Sequence, residues 1–317
     1  MGSELFYNRD QNISGIAVES TYAALNLVPV YGSKASFKSK TFQYEVDDHQ
    51  INMMPFSMNS LEAQYEVRYD LNESNARKLA AFIESKNGTQ MFEVNIDNSG
   101  IYQNVSGISD NYAINHVNNQ HYEVAVSYSI DQAPNIFNWS GMNFVNTGFR
   151  DWDTSVSYNE FDVVYTGVNQ NKLNNFYYCT GDHTSNAQNS PTGEGSFWSQ
   201  RFFYKPDVGF QNDVTFKNEK LEFRNSFKQR VKTKDNNASF PINYEFKDIS
   251  DRQLKSMLHF LENKAGYRRF RVDLESVYNQ PKSVYCPEWN HTWKHFNSHD
   301  FSVSLIEDVL GVIPTGI

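Results

Sequence analysis

Cysteine is almost missing from this chain of 317 residues: only Cys179 and Cys286 occur, far apart. Two such thiols make no disulfide framework, so folding in a reducing compartment is expected. Long apolar runs are missing too, and none approaches the roughly 18 residues that a membrane-spanning helix needs. The opening Met1-Gly2-Ser3-Glu4-Leu5-Phe6 lacks the basic and apolar regions of a secretion signal, and Gly2 lacks the Ser or Thr of an acylation site. Basic charge is in deficit, with 28 Lys+Arg against 37 Asp+Glu and a net charge of −9. Sequence-independent binding to DNA needs the opposite balance. Phosphate loop, zinc-protease helix and nucleophile elbow are all missing, and the scattered carboxylates define no glycosidase pair. No enzyme and no cofactor are expected.

Aromatic residues are plentiful instead: 24 Phe, 19 Tyr and 5 Trp, or 15% of the chain. Asn is abundant, Leu scarce, and Gly and Pro modest at 16 and 9. That mixture favours strands joined by turns over helical bundles. The length suffices for two or three domains, each with its own core.

An internal repeat organises the chain. Leu71 to Asp97 aligns without gaps, 178 residues on, with Ile249 to Glu275; Phe82/Phe260, Glu84/Glu262, Lys86/Lys264, Gly88/Gly266, Phe92/Phe270 and Val94/Val272 are identical pairs. Each copy begins with an alternating segment, Tyr65–Tyr69 or Ile242–Phe246, whose period of two reads as a half-buried strand. A capping residue follows, Asn72 or Ser250. Then comes a helix with one apolar stripe, Leu79, Phe82 and Ile83 in the first copy and Leu254, Met257, Leu258 and Leu261 in the second. Gly88 and Gly266 sit where a left-handed residue ends a helix. Strands are expected at Met91–Ile96 and Arg269–Leu274, closing strands at Tyr122–Val126 and Phe301–Leu305, and earlier ones near 37–46 and 214–223. The unit is strands, one helix, strands: a mainly β class, a β-sandwich or barrel with one packed helix, present twice. The domains expected are 1–133, 134–206 and 207–317.

The middle region, 134–206, has no counterpart and holds Trp139, Trp152 and Trp198. Poor in aliphatics, it is expected to be a small all-β insert packed around its aromatics. Basic and acidic residues number 8 and 16 in 1–133, 4 and 6 in the insert, and 16 and 15 in 207–317. One acidic and one locally basic copy suit side-by-side association. Arg268, Arg269 and Arg271 flank the core residue Phe270, and an interface with an acidic neighbouring subunit is the better reading of them than a nucleic-acid patch. His291, His295 and His299 repeat every four residues with Cys286 upstream. On a helix that spacing lines up zinc ligands, but Trp289, Trp293 and Phe296 among them read as packing residues in a loop between strands. No metal is expected, and both cysteines read as core.

The second copy runs Phe227-Lys228-Gln229-Arg230-Val231, Asn236-Asn237, Tyr244-Glu245-Phe246, Phe260-Leu261-Glu262, Phe270, Val284-Tyr285-Cys286-Pro287-Glu288-Trp289, then a closing strand. Over about 90 residues this order resembles the minor tail protein M family of lambda-type siphophages. The first copy lacks the Gln-Arg-Val, the Cys and the Trp, and joins through the repeat. The resemblance implies a tail-tip or baseplate tube protein of the virion, assembled in the host cytoplasm. Two tube-like domains per chain would make a pseudo-sixfold homotrimeric ring, with neighbouring tail tube and tail-tip proteins as partners and DNA passing through the lumen. The main tail tube subunit is an alternative. The insert, with Trp152, Tyr158, Asp162-Val163-Val164-Tyr165, Tyr177-Tyr178-Cys179, His183-Thr184-Ser185, Pro191 and Phe197-Trp198, is similar to chitin-binding type 3 modules. That likeness implies a host-surface glycan as partner, stacked on Trp152, Tyr178 and Trp198, in a carbohydrate-binding tail accessory.

Overall fold

The computed structural model describes residues 3–7, 23–46, 50–55, 61–90, 92–94, 105–118, 120–130, 150–166, 176–193, 197–207, 215–216, 218–222, 228–232, 238–239, 241–272 and 281–308. It is mainly β. A hairpin of β1 (Ser3–Tyr7) and β2 (Ala23–Leu27) opens the chain. The first copy contains β3 (Lys34–Ser39), β4 (Thr41–Val46), β5 (Gln50–Pro55), β6 (Leu61–Leu71), α1 (Glu73–Lys86), β7 (Phe92–Val94), β8 (Val105–Asn118) and β9 (His121–Ile130). The insert contains β10 (Arg150–Asp151), β11 (Ser157–Tyr158), β12 (Val163–Tyr165), β13 (Phe176–Cys179), β14 (His183–Thr184) and β15 (Trp198–Ser199). The second copy contains β16 (Thr215–Phe216), β17 (Asn218–Glu222), β18 (Lys228–Lys232), β19 (Ala238–Ser239), β20 (Pro241–Ile249), α2 (Asp251–Lys264), β21 (Phe270–Val272), β22 (Lys282–His295) and β23 (Ser298–Glu307). Among the described residues no helix is long and apolar enough to cross a membrane.

The two copies repeat in register. On β8 and β9, Asn111 faces Ser127; on β22 and β23, Glu288 faces Ser304, 177 residues on along both strands. The pair Val67/Val126 returns as Tyr244/Val303, and the hairpin pair Thr41/Pro55 as Asn218/Lys232. Even the entry loops agree: the Val30 N–H donates to the Arg68 carbonyl at 2.8 Å, and the Asp207 N–H to the Glu245 carbonyl at 3.1 Å. The correspondence starts upstream of 207, since Leu27 and Tyr204 are both buried at matching positions. One residue is extra in the second copy. Asp248, with φ +54°, sits in the register shift between Phe246 and Ile249, and beyond it the offset becomes the 178 seen in the helices.

Both helices start and stop as the sequence predicts. The Asn72 and Ser250 side chains accept from the N–H groups of Asn75 and Gln253, satisfying donors that a helix start leaves open. Each stop uses two left-handed residues rather than glycine alone: Asn87 and Gly88 at φ 50° and 63°, Ala265 and Gly266 at 49° and 76°. Lys86 over Phe82 and Lys264 over Phe260 make the same cation–π contact, at 5.4 and 5.2 Å.

Among the described residues, the two copies share a sheet. Their strands form one nine-stranded sheet in the order β20-β23-β22-β3-β6-β9-β8-β7, with β21 also on β22. Strand β3, from the first copy, lies between β6 and the β22 of the second. The insert forms a four-stranded sheet, β10-β12-β13-β15, beside the pair β11 and β14. Strands β12 and β13 are buried on both faces. Val164 and Cys179 pack with Tyr158 into the insert's own small core, while Val163, Tyr165, Phe176 and Tyr178 point the other way into the main core, as strand alternation dictates. The insert's aromatics are thus shared with α2, which buries a second face beneath them, including Ser256, His259, Phe260 and Asn263.

Candidate functional site

The sheet edges carry the most information about what this chain does. At the junction between copies, Glu288–Thr292 of β22 runs antiparallel to Lys34–Lys38 of β3, with Trp289 opposite Phe37. Both side chains are fully buried, and their rings stack at 5.5 Å and 15°. The end of β3 reaches the C-terminus of α2, where the Ser39 hydroxyl donates to the Ala265 carbonyl at 2.9 Å. A Cβ on Gly266 would lie 2.2 Å from the Ser39 Cβ.

The same place in the first copy is open. Strand β8 pairs with β9 along one side and with β7 only at Val105–Gly107. From Asn111 to Asn115 its outer side has no strand partner among the described residues. Ile114 and Val117 are 44% and 58% exposed there. Between this edge and the end of α1 lies a cleft of about 550 Å³, lined by residues that include Ile83, Glu84, Asn87, Gly88, Ser109 and Tyr112. The Ser109 hydroxyl is buried without a hydrogen-bond partner among the described residues, an uncommon state for a native structure. Tyr112 donates to Glu84 at 2.6 Å.

The second copy carries the converse in a separate two-stranded pair. Strand β16 pairs with β19, Phe216 opposite Ala238, repeating 177 residues on the pairing of Ser39 with Leu61. Its other side has no strand partner among the described residues. One molecule therefore carries both an edge shaped to receive a β3-like strand and a strand of that kind.

The insert's contact with α2 is polar at its centre. The Tyr178 hydroxyl lies 3.1 Å from His259 Nδ1, Phe176 packs edge-on to His259 at 4.7 Å, and Tyr204 shares a 2.5 Å hydrogen bond with Ser256. Burial pushes the His259 pKa down to about 3 and holds Glu262, one helical turn on, well above the usual carboxylate range. The folded site refuses a proton that the unfolded histidine accepts below about pH 6.5, so His259 stability is complete above that value and is lost toward pH 3. Glu262 works oppositely, which makes the comparison with a His259→Gln variant the clean one. Between pH 7 and 5 the native chain should lose about 2 kcal/mol more than the variant, read from urea midpoints.

Tyr178 has one ring neighbour in His259 and another in Phe260, and is buried. That packing corrects the expectation of sugar stacking at this residue. Trp152 and Trp198 are half-buried against the insert core, and Trp198 donates from its indole to the Asn189 carbonyl at 2.9 Å. The three expected stacking residues therefore share no open face, because β13 turns Tyr178 away from the tryptophans.

Two of the three arginines are engaged within their own unit. Arg269 donates to the Tyr285 hydroxyl at 2.8 Å and pairs with buried Asp308 at 3.0 Å. Arg268 reaches the Asn263 carbonyl and the Tyr267 hydroxyl, and Arg271 is half-buried on β21. His291, His295 and His299 lie on a hairpin, not on a helix or in a loop. His291 Nε2 meets His299 Nδ1 at 2.7 Å, and His299 Nε2 meets Asp251 at 2.6 Å, while exposed His295 is spent on the Phe296 carbonyl. Here the hairpin, not a helical spacing of four, brings His291 to His299 and leaves His295 apart. Burial raises Cys179 to about 11 and raises Cys286 further, so both thiols stay protonated at neutral pH.

No family model matches this chain, and no curated protein does. Solved structures overlap it loosely. The tail of an empty GTA particle, refined with C6 helical symmetry, is 14% identical over 42% of this chain and 92% of its own, at a TM-score of 0.29. A tail protein from Neisseria meningitidis MC58 and the 43 kDa tail protein of prophage MuSo2 from Shewanella oneidensis are each 7% identical, at a TM-score of 0.32. Each covers 97% of this chain, and 97% and 98% of its own.

Proposed function

We propose that this chain is a ring-forming structural subunit of a phage tail, at the tail tip or baseplate. Two tube-like units per chain would give a pseudo-sixfold homotrimer around the channel that DNA crosses. The observation that carries the reading is the β22–β3 junction. It joins two units with the same fold head-to-tail through their sheets and, among the described residues, leaves the matching edges of β8 and β16 without a strand partner. A heterologous contact of this kind repeats from copy to copy until the rotation closes a ring, and closure removes the exposed edges that otherwise invite aggregation. The order of landmarks in the second copy supports a phage tail as the setting. Neighbouring tail proteins would stack above and below, and the insert, seated on α2, would mark every second unit.

Electron microscopy of the purified chain at high concentration, classified for rotational symmetry, tests this. Threefold rings of six similar lobes, alternate lobes bearing an extra knob, are expected. A chain that stays monomeric across the accessible concentrations, or closes with another symmetry, overturns the proposal.

A further inference from the structure

Resting on that reading, we infer that the open edge of β8 and the cleft beside α1 form a socket for β16 of a second copy of this chain, in one defined register. The template is inside the molecule. On the second copy, Glu288 of β22 faces Lys38 of β3. Subtracting 177 from 288 gives Asn111 on β8, and adding 177 to Lys38 gives Thr215 on β16. Both carried-over positions keep the register of their own ladders, as the pairs Asn111/Ser127 and Thr215/Ser239 show against Glu288/Ser304 and Lys38/Glu62. Asn111 of one chain should therefore stand opposite Thr215 of the next.

The cleft follows from the same operation. Where Ser39 closes on Gly266 and Ala265 in the second copy, the matching residues Gly88 and Asn87 line empty space. The Gly266 Cβ position is 2.2 Å from Ser39, whereas the Gly88 Cβ position meets nothing nearer than the Ser109 carbonyl at 3.7 Å. Ser109 is the counterpart of Cys286, whose carbonyl lies 3.4 Å from the Gly266 Cβ position. The residue that register brings to this cleft is Phe216, the counterpart of Ser39. A phenylalanine answers a cleft of about 550 Å³ as a serine answers a closed one, and buried aromatic anchors in pockets dominate protein–protein affinity. Ordinary strand addition accounts for the backbone part of the contact.

Paired cysteines test the register. Directly opposed residues on antiparallel strands have Cα atoms roughly 4.5–5.5 Å apart, within disulfide range, whereas a two-residue offset puts them beyond about 7 Å. The double variant Asn111→Cys with Thr215→Cys, oxidised at high concentration, should yield covalent dimers and trimers that reductant dissolves. Ala113→Cys with Thr215→Cys should yield at least tenfold less. The native Cys179 and Cys286 are buried, so single variants serve as blanks. Independently, Phe216→Ala should weaken self-association about tenfold or more, measured by sedimentation. If the chain associates yet links equally at Ala113, or not at Asn111, the register is wrong while the ring stands. If neither the native chain nor the variants associate, socket and ring fall together.

Discussion

Trp289→Ala should cost the isolated chain about 3–5 kcal/mol, the usual range for emptying a buried tryptophan site. The residue is fully buried, stacked on Phe37 and placed on the strand that joins the two copies. Its loss removes core packing and the aromatic pair that fixes β3 against β22, so chemical denaturation should show an earlier midpoint. The counterpart Tyr112 gives the control. It is half-buried on an open edge, and Tyr112→Ala should cost the isolated chain about 1 kcal/mol or less. Equal losses at the two positions would mean that the β22–β3 junction contributes little.

Gly266→Val carries the second large effect, on the order of 3 kcal/mol or more. A φ of +76° penalises any residue with a Cβ by roughly 1–2 kcal/mol, and overpacking adds typically 1–3 kcal/mol. Here the obstruction is Ser39, held by its own hydrogen bond to Ala265. Gly88→Val, at φ +63° beside the open cleft, should pay the backbone penalty alone. Thermal midpoints of the two variants measure the difference, which reads the presence of β3 at one glycine and its absence at the other.

Local features were legible in the sequence wherever the chemistry is local. Asn72 and Ser250 announce their helices by capping, the paired glycines announce the stops, and alternation marks β6, β9, β20 and β23. The repeat emerged from identical pairs alone. Sheet order was not legible, because nothing in the alternation of Lys34–Ser39 says that its second neighbour is a strand more than two hundred residues later. Tyr178 was misjudged for a related reason. Aromatic and polar residues alternate in a small insert whether the second face meets water or a helix. The signals that could have settled it lie on α2, where His259 and Phe260 stand outside the predicted stripe, and on β12, where Val163-Val164-Tyr165 is apolar on both faces. The histidines were spaced for a helix but sit on strands, so their pairing depends on β22 meeting β23.

The β22–β3 pairing also sets a timetable. Lys34–Ser39 leaves the ribosome about 250 residues ahead of Glu288–Thr292, so at 5–20 residues per second the first strand waits on the order of tens of seconds for its partner. During that interval Phe37 lacks the tryptophan that will cover it, and one flank of β3 is unclaimed. Pairings so distant along the chain are slow to form and prone to aggregate meanwhile. Nascent chains on crowded polysomes therefore hold the same edge that the finished molecule closes internally, and the synthesis of β22 decides whether that edge is claimed in cis.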